Sequence, residues 1–92
     1  MFVSIHAPAA MARDLRRNRP ELAASRRLQQ VVSQFGLRLE ATHPDTSDPE
    51  LASQFYVSAP DPKTAAEVQR RIEEAGLVDA VYVKPPEGPP SG

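Results

Sequence analysis

The side chains of this chain that could take part in chemistry are few and scattered. His6 and His43 are its imidazoles, Ser4, Ser53 and Ser58 are hydroxyls on apolar-polar runs, and Asp45, Asp48 and Glu50 are carboxylates gathered between Pro44 and Leu51. An imidazole can act as general base and a serine as nucleophile only when the two are held within hydrogen-bond reach. Here the histidines fall on two different strands that the topology does not set side by side, and no serine has an activating partner. The chain has no cysteine, which excludes disulfide and thiol chemistry, and two histidines do not make a nitrogen-and-sulfur metal cage. It also lacks a glycine-rich phosphate loop and a nucleophile elbow. The expectation is a protein that is not an enzyme, with no cofactor and no metal.

One stretch is suited to recognition instead. Tyr82-Val83-Lys84-Pro85-Pro86 begins as a β-branched, aromatic run and turns within two residues into prolines, which cannot continue a central strand. A packed strand hands over to an extended tail. Such a tail is pre-ordered by proline and can be laid along another protein as an added strand.

The elements that position these residues follow from apolar spacing. Phe2 to Ala7 alternates, with Val3, Ile5 and Ala7 on one side and Phe2, Ser4 and His6 on the other, as a half-buried strand does. Ala9 to Arg19 fits a short helix or an ordered loop. Pro20 suits a first helical position, and Ala24, Leu28, Val31 and Phe35 form one stripe that Gly36 closes. Leu37 to His43 alternates as a second strand. Pro44 to Glu50 is dense in turn formers and reads as an exposed loop. Leu51 to Ala59 alternates again, with Gln54, Tyr56 and Ser58 opposite Phe55, Val57 and Ala59. Asp61 and Pro62 then open a helix with Ala65, Val68, Ile72 and Ala75 inward, and Gly76 ends it before the closing strand. Glu67 is spaced to pair with Arg70 and Arg71 on that helix.

The order strand, helix, strand, strand, helix, strand predicts an α+β fold: a ferredoxin-like βαββαβ sandwich, a four-stranded antiparallel sheet with two helices on one face. Residues 1–84 form the domain, and residues 85–92 form a Pro/Gly-rich tail or linker. The plan sets the first and last strands together at the centre of the sheet. It leaves the other face bare, with Tyr56 and Ser58 on it as a docking surface.

Composition narrows the partners. The 92 residues carry a net charge of −1, with 40% hydrophobic and 25% charged residues, as in an ordinary globular domain with a single core. Through Arg38 seven arginines face Asp14 and Glu21, a balance of +5, and the remainder balances at −6. The same fold carries an RNA-recognition module, but Tyr56 has neither basic companions nor a glycine-aromatic run around it, so nucleic acid is not expected. No apolar run approaches the ~18 residues of a membrane span, so no membrane partner is expected either. Met1 to His6 does not read as a secretory signal. The expected compartment is the cytoplasm for the chain as it stands, or extracellular if it is a fragment of a secreted precursor.

The closing run Gly76-Leu77-Val78-Asp79-Ala80-Val81-Tyr82-Val83-Lys84-Pro85, on this order of elements, resembles the subtilisin propeptide and proteinase inhibitor family. The likeness spans the whole domain in topology and residues 76–86 in motif. It implies a domain that packs its open sheet face on a subtilisin-like serine protease, in cis or in trans, and lays Tyr82, Val83, Lys84, Pro85 and Pro86 through the substrate cleft as inhibitor or folding chaperone. It further implies that Asp45, Asp48 and Glu50 meet the N-termini of partner helices, where negative charge is favoured. The alternative is a ferredoxin-like interaction domain that self-associates as a homodimer through Tyr56 and the bare sheet.

Overall fold

A computed structural model describes residues 1–17 and 19–84. The strands are β1 (Phe2–His6), β2 (Leu39–Ala41), β3 (Gln54–Ser58) and β4 (Ala80–Lys84), and the helices are α1 (Ala9–Leu15), α2 (Ala23–Ser33), α3 (Pro49–Ala52) and α4 (Pro62–Ala75). The strands form one four-stranded sheet in the order β2-β3-β1-β4, with every neighbouring pair antiparallel. This α+β architecture with an open antiparallel sheet is compatible with the ferredoxin-like plan. One expectation about it is corrected. The first and last strands do pair, but β1 and β3 hold the centre and β4 runs along the rim.

Alternation decides which face is buried. Val3, Ile5 and Ala7 of the first strand and its exit, with Phe55, Val57 and Ala59 of β3 and its exit, all point into the core. They meet Leu28 and Val32 from α2 and Ala65, Val68 and Ile72 from α4. Each fully buried aliphatic side chain here contributes roughly 1.5–3 kcal/mol. Val81 and Val83 of β4 are half-buried against the same cluster. The inward stripe of α2 is Ser25, Leu28 and Val32, with Ala24, Val31 and Phe35 along its margin. The expected stripe was therefore rotated by about one residue position.

Of the stretch Ala9 to Arg19, residues Ala9–Leu15 form a helix, α1, which sends Met11 and Ala12 into the core. Helix α2 begins at Ala23 rather than Pro20, with Leu22 at its N-cap and no side-chain cap of its own. Asp14 supplies what is missing. Its carboxylate accepts from the Glu21 N–H at 2.9 and 3.1 Å and from the Leu22 N–H at 3.0 Å. Those bonds tie the chain down before α2, where Leu22 is extended, and the anion sits at the positive end of α2. The Glu21 bond foremost, with help from Leu22, the neighbouring Ser25 hydroxyl and the charge of Arg17, holds the Asp14 carboxyl below its ordinary value of 3.8 against the opposing effect of burial.

Two further boundaries differ from expectation. Strand β2 covers only Leu39–Ala41, although the Thr42 N–H still donates to the Gln54 carbonyl at 3.0 Å. The expected strand from Leu51 starts late, because Asp48 and Pro49 open the single-turn helix α3 and β3 begins at Gln54. In α4 the sequence signals act as read. The Asp61 carboxylate accepts from the Thr64 N–H at 2.7 Å, Pro62 follows, and Gly76 takes the left-handed conformation at φ 62°. On its surface Arg70 pairs with Glu74 at 3.8 Å and Arg71 reaches Gln34 at 3.2 Å, in place of the expected pairs to Glu67.

Two outcomes follow for stability. Ile72→Ala should lower unfolding free energy by about 3 kcal/mol in urea denaturation, the usual cost of emptying a fully buried aliphatic position. Asp14 titrates lower in the folded chain than unfolded, so its contribution is complete above pH 3.8 and is lost as pH falls through the depressed value. Asp14→Asn should therefore be less stable than the parent at neutral pH and show a shallower loss below pH 3.8, followed by circular dichroism across pH.

Candidate functional site

The helix-free face of the sheet carries the residues left over by the core. Register sets them in rows across the strands. Glu40, Tyr56, Ser4 and Tyr82 make one row, and Ser58, Phe2 and Lys84 make the row beside it. On the far side Gln54, His6 and Ala80 make a third. Phe2 is 44% exposed and Tyr82 48%, so the face presents aromatic surface to its surroundings. The rings of Phe2 and Tyr56 meet edge to face with centroids 5.6 Å apart at 84°. That geometry is worth about 0.5–1.5 kcal/mol beyond burial and keeps both rings in place without a lid. Phe2, Ser4, Thr42, Tyr56 and Lys84 line a shallow recess of about 250 Å³ beside them.

Electrostatics on this face is local. The Glu40 carboxylate, facing Tyr56 across the β2–β3 ladder, acts as hydrogen-bond acceptor and as negative charge, and raises the phenol above its ordinary 10.0. Tyr56 thus keeps its phenol proton at neutral pH. At the other end of the face His6 Nδ1 lies 3.7 Å from Asp79 Oδ2, with both side chains substantially exposed. The Asp79 N–H also donates to the His6 carbonyl at 2.9 Å, so the pair ties the start of β4 to the end of β1. The imidazoles stand apart, since His43 precedes the loop at the opposite rim and offers its carbonyl to Arg16 at 3.2 Å.

The sequence-derived site residues divide three ways. Tyr56, Ser58, Tyr82 and Lys84 share the open face. Val83 turns inward to the core, and Pro85 and Pro86 lie outside the described residues. Of the loop carboxylates, Asp48 is occupied within the chain as the N-cap of α3, accepting from the Glu50 N–H at 2.9 Å. Asp45 and Glu50 are exposed. This loop is braced by Arg16 of the α1 C-cap, whose Nη2 donates to the Pro44 carbonyl at 2.6 Å as well as to His43.

Sequence reasoning passed over Glu40, Thr42 and Arg16. The alternation of Leu37 to His43 already put Glu40 and Thr42 on the polar side, so their face was readable. Their registration against Tyr56 and Gln54 was not. Arg16 gave no local signal, because its partners are backbone carbonyls distant in sequence. Among the described residues no group of three or more His, Cys, Asp or Glu could hold a metal ion, and no helix is long and apolar enough to cross a membrane.

The Glu40–Tyr56 pairing has a direct readout. Tyr56 should titrate above 10.0 by ultraviolet absorbance, and Glu40→Gln should bring that titration back toward 10.0. No known protein-family model, curated protein or solved structure matches the chain.

Proposed function

We propose that this chain is a non-enzymatic binding module for a subtilisin-like serine protease, acting as inhibitor, as folding chaperone, or as both. The reading rests foremost on one observation: Tyr82 and Lys84 of the rim strand β4 lie on the same helix-free face as Phe2 and Tyr56. A body docked on that face therefore meets Tyr82 and Lys84, the residues that lead into Pro85 in the sequence. Aromatic anchors with a polar surround are what a docking surface uses.

The sequence beyond the rim suits a protease cleft. An extended segment binds there by adding a strand, with backbone hydrogen bonds for affinity and alternate side chains for specificity. Pro85 and Pro86 lower the cost of ordering that segment, and a proline after the attacked bond hinders its cleavage. Asp45 on the loop braced by Arg16 and Glu50 in the first turn of α3, both exposed, supply carboxylates for the N-termini of protease helices, while Asp48 serves its own chain. In the cytoplasm the partner would be an intracellular subtilase, and in a secreted precursor an extracellular one.

The test is a panel of purified subtilases assayed on a peptide substrate with the chain of 92 residues added. At least one should be inhibited competitively. Deleting residues 85–92 should weaken that inhibition more than about tenfold, or about 1.4 kcal/mol. No inhibition of any subtilase, together with no co-elution, overturns the reading.

A further inference from the structure

Among the described residues no strand pairs with the outer rim of β4, and that rim carries an interaction surface distinct from the one on the open face. Its hydrogen-bond polarity follows from the ladder. The Ala59 N–H bonds to the Met1 carbonyl at 2.8 Å and the Ala7 N–H to the Ser53 carbonyl at 2.9 Å, so odd-numbered residues of the first strand and its flanks bond toward β3. Its even-numbered residues then bond toward β4, and the register sets even against even, with Ser4 opposite Tyr82. Tyr82 therefore turns its backbone groups inward. Val81 and Val83 turn theirs outward along the rim, where the Val81 carbonyl is reached only at 3.5 Å by Gln69 Nε2 among the described residues.

We propose that this rim pairs with the β4 of a second copy of the chain, antiparallel about a two-fold axis at Tyr82, so that two four-stranded sheets join into one. The match is self-complementary in three respects. Val81 of each copy exchanges both backbone bonds with Val83 of the other, which uses the outward groups and disturbs none of the internal ladder. Parity keeps faces consistent, since the valines stay on the helix side and the two Tyr82 rings meet on the open side. On the helix side a recess of about 320 Å³, lined by Ile72, Glu73, Gly76, Val78, Asp79 and Val81 among others, lies where Val83 of the second copy arrives.

Charge selects this occupant over an arbitrary strand. Lys84 comes opposite Ala80 of the second copy, next to Asp79, an exposed acid that lies beside His6 on the same open face. Opposite charges meet at each end of the paired segment, and the net charge of −1 per chain offers little long-range repulsion.

Sedimentation velocity of the full chain over a range of concentrations tests the pairing. The parent should be a reversible dimer. Val83→Pro removes an outward N–H that the fold does not use, so it should keep the parent's circular dichroism and weaken dimerisation more than about tenfold. Tyr82→Glu, an exposed position on the axis, sets like charges against each other and should also give monomer. Tyr56→Ser, off the rim, should remain dimeric. A parent that is monomeric throughout, a dimer that survives both rim variants, or a dimer lost in Tyr56→Ser overturns the pairing. Protease inhibition is read in a separate assay, so neither proposal stands or falls with the other.

Discussion

A pleated sheet sorts its side chains by parity, and with helices on one side only that sorting is the constraint on which the rest depends. Two amphipathic helices bury one face of four strands, so every second residue of β1 and β3 is committed to the core and every other one is released. Shifting a strand by one residue would bury Ser4 and His6 and expose Val3 and Ile5. The register is therefore held by the full hydrophobic energy of the domain. The row of Glu40, Tyr56, Ser4 and Tyr82 needs no dedicated scaffold, because the same energy that fixes the core aligns it.

Polar bracing does the work at the ends of elements, where parity has no hold. Asp14 stands in for the cap that α2 lacks, and Arg16, two residues on, spans from α1 to the His43–Pro44 carbonyls. One short helix thereby fixes both the entry of α2 and the approach to α3. The Ser25 hydroxyl, fully buried and without a hydrogen-bond partner at ordinary geometry among the described residues, lies close enough to help hold the Asp14 charge. A buried hydroxyl beside an anion costs less than one in a purely apolar setting.

Most of the architecture was legible because it was written in local codes. Alternation placed Val3, Ile5, Phe55 and Val57 correctly, and Asp61 with Pro62 and Gly76 marked both ends of α4. The misplaced boundaries share a cause. Helix α2 starts late, at an extended Leu22 N-cap, and the cap for its free N–H groups comes from Asp14 in the preceding helix, a partner that a reading of Pro20 alone does not show. Strand β3 starts late because Asp48 and Pro49 form a cap and first turn, a signature as plain as that at Asp61 but embedded in a loop rich in other turn formers. In the candidate site, the face on which Tyr56, Ser58 and Tyr82 lie was readable from parity, whereas the Glu40–Tyr56 contact and the rim position of β4 depend on strand order.

That strand order has a bearing on how the chain is made. Of the four strands the earliest in sequence, β1, is the one that ends between β3 and β4, so neither of its neighbours exists until Gln54 and beyond have been synthesised. Helices α1 and α2 can form early, but the sheet centre waits for residues near the opposite end, and pairing across so long a loop is slow. A nascent chain halted before β3 would hold Val3 and Ile5 with nothing to cover them. For a domain of this topology, the sheet can close only once its last strand has been made.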